Sequence, residues 1–506
     1  MDTPASPSSD YSDLQKPLET FRATARRVSI HPAEHAVLWI VAVHLVALPW
    51  LLGGQRIWAQ LPSLGVALIA LLVALLPRNY TAAHTGSTSF RLIMWPKLLK
   101  FPLFWLGLGL LILTTLQGLN TSHTYTTNGK LWWMETTPHI KWLPSGVDVP
   151  FARGGPWRML IIWATVWLTV CTVWVGFTRR RTLQTFFLVL AANGLALAAF
   201  GILQRVLGNG KIFWFFESPN LYFFGSFIYK NHGGAYLFLT LALTCGITGW
   251  YYLRGLRRLE KSNPAGVFAF LATCIAVSIM VSYARGMTLV MMAFLAVMIG
   301  IFIVHQLFSP SVHRKPVVAV ALMIIFGIFL AVGWRALEKS EAWNPAQAMQ
   351  RLKDGVTRAD DALASREMVT KVSLEMLGDH WVRGTGAGSY QFLFPFYQVR
   401  YPEITTSHGV PLFWMNAHND IVEYPIEIGL FGVLLVLGAF GYLATMLIKS
   451  FFWENPLSGS VALGLVCLLI YSWWDFPLHN VSVLNLWWTL AVAVVMWTSF
   501  EESNKG

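Results

Sequence analysis

The stretch LIIWATVWLTVCTVWVGF, Leu160 to Phe177, carries no charge along its whole length and is followed almost at once by Arg179-Arg180-Arg181. Wound as a helix at ~1.5 Å per residue it reaches ~27 Å, close to the ~30 Å of a bilayer's hydrocarbon core. The pattern recurs at Val37 to Leu52, Phe101 to Leu119, Val317 to Val332 and Val461 to Trp474. With 55% of the 506 residues hydrophobic, 12% charged and a mean hydropathy of +0.53, there is too little polarity to cover a water-soluble domain. Lipid is the solvent of this chain. Strand-type alternation is absent from the apolar runs, so a membrane β-barrel is excluded and the expected fold is an all-α polytopic helical bundle. About twelve spans are predicted, at 36–53, 61–76, 101–119, 158–177, 182–204, 233–253, 265–283, 286–307, 317–334, 421–447, 457–474 and 481–498. Tryptophans and tyrosines gather near the run ends, as at Trp132-Trp133 and Trp487-Trp488, where amphipathic rings sit at headgroup level.

Charge then orients the spans. Arg78, Arg91, Lys97 and Lys100, then Arg179 to Arg181, then Arg254, Arg257, Arg258 and Lys261, then Arg314-Lys315, then Lys449 fall in alternate connections. All lie on one side if the amino terminus is cytoplasmic, which satisfies the positive-inside rule. The formal net charge of +12 therefore reads as topology and attraction to an anionic leaflet, with no nucleic-acid partner expected. The expected division is a polar cytoplasmic segment at 1–35, a first bundle part at 36–334, a large external loop at 335–420, a last bundle part at 421–498 and a cytoplasmic tail at 499–506. Segments 120–157 and 205–232 share the external face. Within the large loop, Asp361 to Leu377 spaces Leu363, Met368, Val369, Val372, Leu374 and Leu377 helically, predicting an amphipathic helix that lies over the bundle as a lid.

The four cysteines, Cys171, Cys245, Cys274 and Cys467, all fall within apolar runs and read as small packing residues. No HExxH, paired CxxC or Walker-type glycine motif occurs, so neither a metal nor a cofactor is expected and any chemistry draws on energy stored in the substrate.

The polar constellations lie on the external side. Ala417-His418-Asn419-Asp420-Ile421-Val422-Glu423 sits where the large loop meets an apolar run. Asn419 and Asp420 suit a helix cap, with Glu423 at a capping-box-like spacing. That reading leaves His418 unexplained, and an imidazole at the outer interface can take a proton from an incoming hydroxyl. Arg285, in Ser282-Tyr283-Ala284-Arg285-Gly286, either snorkels to water or faces an aqueous cavity as a phosphate fork. Arg366, in Ala364-Ser365-Arg366-Glu367, is either a solvated helix residue or a second cation on the same anion. Tyr229-Lys230-Asn231-His232 offers an ammonium, an amide and an imidazole, as interfacial anchors or as part of a donor site. Arg383-Gly384-Thr385-Gly386-Ala387-Gly388-Ser389 follows no strand of a βαβ unit and reads better as a tight turn than as a phosphate loop. Phe394-Pro395-Phe396-Tyr397 suits packing or stacking on a sugar. Asp475 and His479 lie near the last external turn, facing either pocket or water.

In this order, over residues 220 to 445, the Tyr229-to-His232 segment, the Arg285-Gly286 turn, Ser365-Arg366, the Gly384-to-Gly388 loop and His418-Asn419-Asp420 with Glu427-Ile428-Gly429-Leu430-Phe431-Gly432 resemble the bacterial O-antigen ligase and O-antigen polymerase superfamily. Tyr283-Ala284 precedes Arg285 where the family more often has a serine. The resemblance implies a GT-C-type glycosyltransferase of the inner membrane with its active site facing the periplasm. It implies an inverting, metal-independent transfer from a polyprenyl-diphosphate-linked oligosaccharide. Arg285 and Arg366 would hold the diphosphate, Lys230, Asn231, His232, Asn419 and Asp420 would line the substrate site, and His418 would activate the acceptor hydroxyl. The long 120–157 loop and the Lys230-Asn231-His232 pattern look more like a polymerase, whose acceptor is a lipid-linked repeat unit and which works with a chain-length regulator. The alternative is a ligase, moving the finished glycan to lipid A-core or a protein hydroxyl. A secondary transporter of similar span number is the rival from another class, disfavoured because the halves do not resemble each other and polarity gathers on one face.

Overall fold

The computed structural model describes residues 30–80, 90–220, 222–258, 262–308, 358–402, 404 and 413–502. Fourteen α-helices carry the architecture: α1 (Pro32–Trp50), α2 (Ile57–Leu75), α3 (Trp95–Leu99), α4 (Pro102–Leu119), α5 (Pro156–Gly176), α6 (Arg180–Leu207), α7 (Lys230–Arg258), α8 (Ala265–Val281), α9 (Arg285–Phe308), α10 (Arg358–His380), α11 (Tyr390–Gln398), α12 (Asp420–Lys449), α13 (Pro456–Tyr471) and α14 (Val481–Glu502). Among the described residues nine helices are long and apolar enough to cross a membrane, and α8 and α13 are shorter apolar helices. These eleven match eleven of the predicted spans; the one at 317–334 lies outside the described residues, as does the first part of the 335–420 loop. The molecule is an all-α polytopic membrane protein.

Local chemistry explains the boundaries. Proline opens α1, α4, α5 and α13, where a missing N–H costs nothing. In α5 the hydroxyls of Thr165, Thr169 and Thr172 donate to carbonyls four residues back at 2.7–2.8 Å, satisfying groups that lipid cannot. α14 is buried nearly all round, packed among α5, α7, α13, α12 and α1, which is why it is apolar on every face. α7 packs on α8 and α13, α5 on α2 and α4, and α12 on α4 and α10. All four cysteines are free.

The bundle has two chemically distinct ends. At one, buried Glu34 accepts from Thr178 N at 2.8 Å, Arg179 N at 3.0 Å and Thr182 Oγ1 at 2.6 Å, with Arg78 3.5 Å away. Arg180 stacks on Trp497 and Arg254 on Trp250 at this same end. Among the described residues, Arg78, Lys97, Arg179, Arg180 and Arg254 thus gather on one side, while Lys261, Arg314 and Lys315 lie outside the described residues. At the other end lie Arg158, bonded to Gln55 O at 2.6 Å, and the first turns of α7, α9 and α12.

Among the described residues, two small sheets lie outside the membrane helices. β1 (Arg78–Tyr80) pairs antiparallel with β2 (Phe90–Leu92). β3 (Thr121–Thr127) runs between antiparallel β4 (Trp132–Thr136) and parallel β5 (Gly146–Asp148). This second sheet joins the lid: Met134 and Val147 share a core with Val369, Val372 and Met376 of α10 and Tyr390, Phe392 and Phe394 of α11. Polar segments more than two hundred residues apart in sequence therefore form one roof over the bundle. The predicted lid helix is present and longer than expected, running from Arg358 to His380.

Candidate functional site

The roof is pinned to the bundle by Glu427. Its carboxylate accepts from Gly388 N at 2.9 Å and Tyr390 N at 3.1 Å, while its carbonyl accepts from Gly386 N at 3.0 Å and Gln117 Nε2 at 2.9 Å. Gly384, Gly386 and Gly388 all have positive φ, and a Cβ at Gly384 would stand 2.3 Å from Glu427 O. The glycine loop is thus a tight turn whose amides are taken up within the protein, Thr385 N and Gly386 N by the carbonyls of Ile426 and Glu427, Ala387 N by Gln117 Oε1 and Gly388 N by the Glu427 carboxylate. Facing it, Gly429 (φ 64°, ψ −175°) breaks α12 so that Leu430 N reaches Val382 O at 3.1 Å.

One turn earlier, the segment bearing His418 is held by buried charge. Asn419 is the N-cap of α12, accepting from Val422 N at 3.2 Å. Glu423 accepts from Ala417 N at 2.6 Å and Asn416 Nδ2 at 2.9 Å, and Asp420 accepts from Leu478 N at 2.9 Å. His479 lies between the two acids, 2.6 Å from Asp420 Oδ1 and 3.1 Å from Glu423 Oε1. Burial opposes its charged form, but the flanking Glu423 and Asp420 carboxylates hold its pKa well above the ordinary histidine value. Asn419 and Asp420 are buried and engaged within the protein, so they shape the site from behind and present no surface to a ligand.

His418 itself is left-handed (φ 53°), a costly backbone for a non-glycine residue. That turn aims its ring edge-on at Phe476 (4.7 Å between centroids) and Trp414 (5.5 Å). Its Nδ1 is buried and faces Asp475 Oδ1 at 3.7 Å, while the side chain keeps 20% of its exposure. The nitrogen left to meet a ligand is Nε2. Asp475 also accepts from Tyr471 Oη at 2.7 Å, Phe476 N at 2.9 Å and the Asn231 amide. Burial pushes this carboxyl up, but the His418 imidazole, the Tyr471 hydroxyl and the Arg366 guanidinium outweigh it and hold it below the usual carboxylate range.

The cations meet beside this pair. Arg366 bonds the Tyr229 hydroxyl, which also accepts from Asn231 Nδ2 at 2.7 Å. Arg285, Arg205 and Arg366 all lie within electrostatic range of the Lys230 ammonium, which sits over the Tyr222 ring at 5.2 Å. The structure therefore brings together His418, Arg285, Arg366, Lys230 and Asn231 from α7, α9, α10 and the start of α12. His232 is separate: it is buried, accepting from Gln55 Nε2 at 3.0 Å and donating to Phe476 O at 3.2 Å, and it fixes α7 beneath the site. Of the two alternatives the sequence left for Asp475, the structure shows the pocket side, facing His418. Arg205 escapes motif reading because it ends a span; the available signal is that Arg205, Lys230 and Arg285 are cations on the end where the charge rule leaves few.

Residues 267–437 match the family model described as O-antigen ligase, a segment of about a third of the chain that contains Arg285, Arg366 and His418. This segment is similar to the O-antigen ligase family. Lys230, Asn231, Arg205 and Asp475 lie outside the matched segment and join the site through the fold. A comparison with curated proteins returns no significant match. The match shows a likeness to O-antigen ligases over this segment, and the membrane helices mark a multi-pass membrane protein.

Proposed function

We propose that this protein polymerises polyprenyl-diphosphate-linked oligosaccharide repeat units at the periplasmic end of the bundle, without a metal and with inversion. The observation that carries the reading is the convergence of the Asp475-backed His418 with the guanidinium groups of Arg366 and Arg285 and the Lys230 ammonium. Three fixed cations suit a leaving group with more than one negative charge. A transporter would place its polar site near the midplane, whereas Lys230 and Arg285 open their helices, His418 just precedes one and Arg366 lies in the lid helix.

In the proposed reaction the acceptor hydroxyl oxygen attacks the anomeric carbon of the donor sugar from the face opposite the diphosphate. The new C–O bond forms as the C–O bond to phosphate breaks, and the electron pair leaves on the polyprenyl diphosphate. Arg285, Arg366 and Lys230 meet that growing charge. The hydroxyl proton passes to His418 Nε2, a contribution of about 10²- to 10⁴-fold, and then to water. Asp475 fixes the tautomer by facing Nδ1. The roof and the bundle wall align the two sugars.

The test is incubation of purified protein with a defined polyprenyl-diphosphate oligosaccharide and a chelator, with products sized. Ladders of repeats that vanish in His418→Ala support the proposal. Transfer to lipid A-core with no ladders would assign the same site to the ligase reaction, and no transfer to either acceptor would refute the reading.

A further inference from the structure

At the end of the bundle opposite His418, a cavity of about 700 Å³ is walled by Arg180, Arg181, Arg254, Arg257 and Arg258. The first two open α6 and the other three close α7. α7 has Lys230 at one end of its 29 residues and Arg258 at the other, ~42 Å apart at ~1.5 Å per residue. The cavity is therefore a membrane's width from the transfer site and forms no part of it.

Membrane topology asks for cations in these connections but does not ask that two of them aim their arginines into one space. Among the described residues, Glu454 is the single carboxylate in the cavity wall. Arg181, Arg254, Arg257 and Arg258 alone bring four guanidinium groups around this acid, an arrangement that repels itself and that a bound anion relieves. Two of the five are also held in place by stacking: Arg180 lies 4.2 Å over the Trp497 ring, and Arg254 lies 5.3 Å over the Trp250 ring. Guanidinium forks fit phosphate oxygens two at a time, which an ammonium cannot do. Trp250, Leu253 and Phe451 add an apolar part to the same wall.

We propose that this cavity is a second, non-catalytic site that binds a phosphate-bearing anion of at least two negative charges. The anion is either the headgroup of an anionic membrane lipid or a soluble diphosphate. The site stands independently of the glycan-transfer reading.

The experiment is titration of purified, delipidated protein with cardiolipin, phosphatidylcholine and inorganic pyrophosphate, read by native mass spectrometry. The variants are Arg254→Gln/Arg257→Gln/Arg258→Gln and, as a control, Arg91→Gln/Lys100→Gln, which removes two exposed cations elsewhere on the same end. Cardiolipin binding at least tenfold tighter than phosphatidylcholine, reduced at least tenfold in the triple variant and less than twofold in the control, supports the lipid source. Pyrophosphate that binds with the same variant dependence and displaces cardiolipin supports the soluble source. Arg257→Gln alone, at an exposed position, gives a smaller loss of the same kind and serves where the triple variant does not fold. Equal binding of cardiolipin and phosphatidylcholine with no binding of pyrophosphate, or a control that loses as much as the triple variant, overturns the proposal.

Discussion

Asp475→Asn removes one charge and changes almost no volume, so its effect isolates what the carboxylate does for His418. Every polar neighbour of Asp475 is a donor or faces it as one: Tyr471 Oη at 2.7 Å, Phe476 N at 2.9 Å, the Asn231 amide, and His418 Nδ1 at 3.7 Å. An asparagine has one acceptor oxygen in place of two. Whichever way its amide turns, its NH₂ group confronts donors. Placed toward Tyr471 and Asn231, it breaks two bonds and costs roughly 1–3 kcal/mol for each buried group left unpaired. Placed toward His418, it favours the tautomer with the proton on Nε2, which removes the base from the acceptor. On the proposed mechanism kcat falls about 10²- to 10⁴-fold, the share assigned to a positioned general base, equivalent to ~2.7–5.4 kcal/mol at ~1.36 kcal/mol per decade. KM for the lipid-linked donor moves less than about threefold, because the cations that hold the diphosphate are untouched. The assay is initial-rate ladder formation by protein in lipid nanodiscs, with His418→Ala and the double variant measured alongside. A residue acting through the imidazole gives a double variant no slower than His418→Ala alone. A kcat within threefold of wild type, or fully additive losses, would refute the positioning role.

Three further outcomes follow from the geometry. Arg285→Ala and Arg366→Ala should each lower kcat/KM for the donor by about 10- to 100-fold, the ~1.5–3 kcal/mol of a charge-assisted hydrogen bond, and donor titration checks this. Gly384→Ala places a Cβ 2.3 Å from Glu427 O on a backbone with φ of +73°; it should lower stability by at least ~1–3 kcal/mol, read as a reduced melting temperature, with donor affinity unchanged in the folded fraction. His479 has a folded pKa above its unfolded value, so its contribution is full below the unfolded value near ~6.5 and is lost as pH rises through the folded one. Thermal stability should therefore decline on the alkaline side of neutrality, and His479→Gln should flatten that decline.

The membrane helices were legible because lipid imposes one requirement, an uninterrupted apolar run, and the span predicted at 158–177 lies within a residue or two of α5 at both ends. The roof was only half legible. Val369 and Val372 announce a buried helix face by spacing alone, although Leu374 of the same predicted set is exposed and Met376, not in that set, is buried; the Thr-rich β3 carries no apolar alternation and takes its place from partners at 132–136 and 146–148. In the site, His418, Arg285, Arg366 and Lys230 stand out as polarity beside long apolar runs. Asp475 stands out as well, but which side it faces is set by the packing of α13 on α7, and Arg205 does not stand out because its place in the site depends on the position of α6, which no local pattern encodes. The helix-cap reading of Asn419 and the base reading of His418 turn out to be compatible: the cap, with Glu423 behind it, is what holds the left-handed His418 in place. His232 shows the converse, a polar residue beside the site that the fold uses internally.

The central claim is that the cations and the imidazole surround one diphosphate-bearing sugar. It is tested most directly by a cryo-electron microscopy structure of the protein in a nanodisc with a non-transferable phosphonate analogue of a polyprenyl diphosphate sugar. The account predicts diphosphate oxygens about 3 Å from the guanidinium groups of Arg285 and Arg366, with His418 Nε2 on the open face of the anomeric carbon. A diphosphate seated away from both arginines, or an anomeric carbon beyond reach of the imidazole even through one water, would contradict it.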